Sequence, residues 1–76
     1  MPLSVPNAIA FRRSRANVLQ RELARSVRVD VPRMSLIESG RQICTPRELT
    51  AVTKRLGCKP TDIYPPSILA LIRQEG

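Results

Sequence analysis

The sequence contains no histidine and no tryptophan, and its only aromatic residues are Phe11 and Tyr64. Without histidine there is no Ser-His or Cys-His nucleophile and no histidine-ligated metal. Cys44 and Cys58 stand fourteen positions apart, with no Cys-x-x-Cys pattern. A helix between them, rising ~1.5 Å per residue, would separate them by roughly 20 Å, beyond disulfide reach. They read as two free, small apolar side chains of a chain kept in a reducing cytoplasm. Long apolar runs are also missing: the longest, Ile68 to Ile72, is five residues, too short to span a membrane. The opening MPLSVPN has neither a basic region nor a long apolar run, so no secretory leader is expected.

Negative charge is scarce as well. Six acidic residues face 13 basic ones, for a net charge of +7 and a pI near 11.1. Eleven of the basic residues are arginines. Their planar fork matches phosphate oxygens and guanine edges in a way the lysine ammonium does not. Residues 1–41 carry eight basic and three acidic residues, and residues 42–76 five and three. A polyanionic partner met by the first half is therefore expected. At 76 residues the chain forms one domain and buries only ~60% of its unfolded surface.

The apolar spacing predicts an all-α fold of five short helices. Residues 1–6, with Pro2 and Pro6, read as an extended arm. A first helix is expected from about Asn7, its N-cap, to Arg15. A second runs from about Leu19 to Val27, with Leu19, Leu23 and Val27 on one face. After Arg28-Val29-Asp30 a third helix covers about Val31 to Ser39, capped by Asp30, with Pro32 in its first turn and Gly40 as a left-handed stop. Thr45-Pro46-Arg47-Glu48 is a capping box that opens a fourth helix to Leu56, closed by Gly57. A short turn at Lys59–Asp62 leads to a final helix from Ser67 to about Gln74. Residues 7–64 form the domain proper and residues 65–76 the C-terminal helix.

Two short helices joined by three residues, the second of them capped, is the arrangement of a helix-turn-helix. Asn17 to Tyr64 resembles the Cro and phage-repressor (XRE-like) family. The resemblance is carried by Gln20, Leu23-Ala24, Val29, Met34-Ser35, Ile37-Glu38-Ser39-Gly40-Arg41, Leu49, Val52, Leu56-Gly57 and Asp62-Ile63-Tyr64. It implies a DNA-binding regulator with the third helix in the major groove. On that basis Val31, Pro32, Arg33, Ser35 and Leu36 are expected to face bases. Arg33 is the leading reader, through guanine N7 and O6. The resemblance also implies phosphate contacts from Gln20 and Arg41, with Arg12, Arg15, Arg21 and Arg28 adding to the field. Arg47, Lys54, Arg55 and Arg73 read as solvated charges. Glu38, acidic on a side that should meet DNA, needs a partner, and the resemblance points to Arg13.

The sequence departs from the family pattern at Arg28, where glycine is common, at Leu19, where a Ser or Thr usually precedes the glutamine, and at Pro32. A left-handed Arg28 would cost ~1–2 kcal/mol. Ile68, Leu69, Leu71 and Ile72 surround the last helix rather than striping it, so it is the expected interface of a homodimer on a pseudo-palindromic operator. The functional expectation is a small cytoplasmic repressor of the phage kind. The alternative is the DNA-binding antitoxin of a toxin–antitoxin operon. No catalytic residue, metal, cofactor, small-molecule ligand or membrane partner is expected. The scarcity of aromatics argues against single-stranded nucleic acid.

Overall fold

In the computed structural model, which describes residues 5–75, five α-helices and one 3-10 turn follow the local signals closely. Residues 1–4 of the expected arm lie outside the described residues. The part that is described is docked: the Val5 N–H donates to the Gly40 carbonyl at 2.8 Å and its side chain packs on the core.

Helix α1 (Ile9–Arg15) starts two residues later than its expected cap. Asn7 instead folds back on the start of the helix, its Oδ1 accepting from the Ile9 N–H at 3.0 Å. Its Nδ2 donates to the Ile37 carbonyl at 2.9 Å, so one side chain joins the start of α1 to the third helix. Ile9 is the residue α1 sends into the core, whereas Phe11 is 59% exposed. Asn17, left-handed at φ 57°, turns the chain into α2 (Gln20–Val27). The Glu22 carboxylate accepts from the Leu19 N–H at 2.9 Å, the one half of a capping box that a leucine at the cap position permits.

Arg28 is left-handed, at φ 65° and ψ 44°. The departure from glycine therefore leaves the turn unchanged and is tolerated at the steric cost that a side chain carries there. Helix α3 (Val31–Glu38) is capped by Asp30, which accepts from the Arg33 N–H at 2.8 Å. Thr45 and Glu48 cap α4 (Pro46–Leu56) reciprocally. Gly40 and Gly57, at φ 84° and 66°, follow α3 and α4 with the positive φ that glycine accepts freely.

Leu23, Ala24 and Val27 of α2, Met34 and Ile37 of α3, and Leu49 and Val52 of α4 meet in one core. Val18, Cys44, Ile63 and Tyr64 extend it, and the small Ala24 lets α2 and α3 approach closely. Each such burial contributes ~1.5–3 kcal/mol. The Tyr64 hydroxyl, fully enclosed, accepts from the Cys44 N–H at 3.2 Å and so fixes the loop entering α4. Burial pushes the Cys44 thiol up to about 11 and also raises the Tyr64 phenol.

Helix α5 (Pro66–Glu75) spends most of its apolar residues within the monomer. Leu69 and Ile72 are buried in the monomer core and Ile68 packs against it. Leu71, 51% exposed, is the one of the four expected interface residues left facing outward. A domain this small needs its last helix as a lid, and three of the four apolar side chains go to that task.

Candidate nucleic-acid interface

The interface is built around α3, which is held at both ends. At its C-terminal end Arg13 of α1 forks onto Glu38, Nε to Oε2 at 2.9 Å and the second guanidinium nitrogen to Oε1 at 3.0 Å. Gln20, the first residue of α2, adds a third donor to Glu38 Oε1 at 3.3 Å. The Glu38 side chain is only 7% exposed, and this geometry gives a buried carboxylate the partners it requires. Arg13 also donates to the Val18 carbonyl, so it ties α1, the α1–α2 turn and α3 together.

At the other end, Arg33 is placed differently from its expected role. Its guanidinium grips Glu48, in the first turn of α4, at 2.8 and 3.3 Å. It also donates to the Gln42 side-chain oxygen and the Ile43 carbonyl. Burial alone would raise the Glu48 pKa, but the Arg33 guanidinium and the Thr45 donors outweigh it and lower the net value. The hydrogen bond to Glu48 raises Arg33 in turn, against the smaller effect of desolvation. Arg33 is thus an internal clamp in this structure, not a free fork. Its position carried the signal: arginine in the first turn of a helix has the wrong sign for the helix dipole.

With Arg33 turned to Glu48, the outward face of α3 comprises Val31, Pro32 and Ser35, all exposed, and the half-buried Leu36. Of the residues expected at phosphates, Arg21 and Arg41 are exposed at the start of α2 and just past α3. Gln20 is half-buried on Glu38. Arg15 is exposed and lies over the Phe11 ring at 5.5 Å. Arg12 departs from the expected set: it pairs with Asp62 at 3.4 Å, because α1 turns that side toward the 3-10 turn Pro60–Asp62.

Among the described residues no group of His, Cys, Asp or Glu could hold a metal, and no helix is long and apolar enough to cross a membrane. No curated protein matches the chain. Two solved structures of the clp gene regulator ClgR from Corynebacterium glutamicum are similar to it, each 33% identical over 72% of this chain, with TM-scores of 0.68 and 0.66. The chain spans 58% of the first ClgR chain and 71% of the second. A family model described as a helix-turn-helix domain matches residues 9–63, the stretch from the start of α1 to the end of the 3-10 turn. The chain belongs to this helix-turn-helix domain family, of the Cro and phage-repressor type.

Proposed function

We propose that this chain is a sequence-specific regulator of transcription that places α3 in the major groove of duplex DNA, and that it acts most simply as a small repressor by occupying a promoter. The observation that carries the reading is the mounting of α3. Buried clamps from α1 and α4 fix the helix at both ends while Val31, Pro32 and Ser35 stay free on its outer face. The name of the ClgR relative, a gene regulator, supports the same class.

The exposed chemistry refines how bases are read. Val31 and Pro32 offer apolar contact to thymine methyl groups, and Ser35 a hydroxyl for a base edge. Arg21 and Arg41 supply phosphate contacts that fix register without reading sequence. Two copies bind half-sites of a pseudo-palindromic operator, one helical turn apart. Of the four large apolar residues of α5 described, Leu71 alone faces outward, so the pair is held chiefly by the DNA.

Selection from a random duplex pool, followed by binding of the selected and a scrambled duplex, tests the reading. Ser35→Glu should abolish preference for the selected duplex without lowering thermal stability, since Ser35 is exposed. Arg41→Ala should weaken both duplexes alike and reduce the log–log salt slope by about 0.9. A Ser35→Glu variant with unchanged preference would remove α3 from the interface.

A further inference from the structure

A groove of about 940 Å³ lies between the C-terminal end of α2 and the outer stripe of α4. Arg28, Arg47, Lys54 and Arg55 line it, with Ser26 and Ala51 between them, and no carboxylate does. The absence of counter-charge is not local accident. Five carboxylates are engaged elsewhere: Glu22 and Asp30 as helix caps, Glu38 and Glu48 in the clamps, Asp62 with Arg12. Two of the groove arginines do have partners, but neutral ones. Arg47 donates to the Val27 carbonyl at 3.3 Å and Arg55 to the Ser26 hydroxyl at 3.1 Å. These bonds hold the side chains on the groove walls and leave their charge intact. Four uncompensated cations in one recess focus a positive field and repel one another until an anion enters.

Arg28, expected to add to the field at DNA, is the one lining residue that borders the expected DNA face. None of its lining residues belongs to α3 or to the loop after it. Contact between α3 and α4 is made at the first turn of α4, through Arg33 and Glu48. From Arg47 the cationic stripe runs on to Arg55, roughly 12 Å along the helix at ~1.5 Å per residue. A duplex seated on α3 meets at most the near end of that stripe, whereas a peptide segment can lie along all of it. The small Ala51 and the aliphatic stems of Arg and Lys supply an apolar floor beneath the charges. We infer that this groove docks an acidic helical segment of a protein partner, carboxylates toward the four cations, in a site independent of DNA reading.

The test uses the whole chain and a fluorescein-labelled helical peptide with glutamates at three- and four-residue spacing, which places them on one face. Lys54→Gln/Arg55→Gln removes two exposed groove charges, at the cost of the one exposed bond from Arg55 to the Ser26 hydroxyl, so folding should be retained and is checked by thermal melting. Lys59→Gln/Arg73→Gln removes the same charge from exposed positions outside the groove. The groove pair should weaken the peptide about five- to ten-fold in fluorescence anisotropy at moderate salt, and the control pair less than about two-fold. Affinity for a random duplex should then change equally in the two variants. Equal peptide losses in both variants, no loss in either, or a duplex loss specific to the groove pair would each overturn the assignment; the last would make the groove a DNA contact.

Discussion

The two ends of α3 are fastened by the same chemistry with the polarity reversed. At the C-terminal end α3 supplies the carboxylate, Glu38, and α1 the guanidinium. At the N-terminal end α3 supplies the guanidinium, Arg33, and α4 the carboxylate. Both α3 charges oppose the helix dipole, which favours anions at the N-terminus and cations at the C-terminus, at a local cost of ~0.3–1 kcal/mol each. A charge set against the dipole signals a tertiary partner. Together the two clamps fix the tilt of the helix from both neighbours, so its outer face is positioned without any contribution from that face. The ends differ in burial: Arg13 and Glu38 are 20% and 7% exposed, Arg33 and Glu48 29% and 6%.

That difference can be broken by mutation. Arg13→Met leaves the more enclosed pair with Glu38 unpaired except for Gln20 and should lower stability by about 3 kcal/mol. A melt should then fall by roughly 15 °C for a domain of this size. Arg13→Met/Glu38→Met should recover most of the loss, because no orphaned charge remains. Arg33→Met should cost less, about 1–3 kcal/mol, since Glu48 keeps the Thr45 N–H when the guanidinium is gone. Its effect on DNA separates clamp from reader: equal weakening on selected and scrambled duplexes marks a clamp, and a collapsed preference a reader.

The pH dependence sharpens the same comparison. Because the Glu48 pKa is lowered in the folded state, its contribution is present above the unfolded carboxylate pKa of about 4.3 and is lost as pH falls through the lowered value. Glu48→Gln should therefore flatten the fall in urea stability between neutral and strongly acid pH, and an unchanged acid limb would show that the clamp is not charge-assisted. The smallest effect is expected in the turn between α2 and α3. Arg28→Gly should raise stability by about 0.5–1 kcal/mol, relief of the left-handed strain outweighing the added freedom of the unfolded chain.

The helices were legible in the sequence because their ends are marked locally: Asp30 and Thr45 as caps, Pro32 and Pro46 in first turns, Gly40 and Gly57 as stops. Arg28 was legible as a departure but not in its consequence, since a turn held by neighbouring helices keeps its geometry whatever side chain occupies it. Arg33 was legible as a fork but not in its partner, for a different reason. Its fork suits guanine and carboxylate equally, and only the approach of α4 decides between them. Both Arg33 and Glu48 carried local signs, the first a wrong-signed position and the second a capping box, but neither sign names the other residue across fifteen positions. Likewise the apolar residues of α5 are arranged nearly all round the helix, so sequence alone does not divide lid from interface. The cationic groove joins two helices: its α4 cations each look solvated when taken singly, and Arg28 looks like part of the field at DNA.

The enclosed Cys44, with its backbone N–H on the Tyr64 hydroxyl, has one more consequence. Its thiol is sealed from solvent and kept protonated at neutral pH, whereas Cys58 is only half-buried. Alkylating reagents should thus label Cys58 first and reach Cys44 only when the core opens. The lag between the two modifications is an intrinsic clock for breathing of the domain, and its lengthening on DNA would measure how tightly a bound duplex locks the fold.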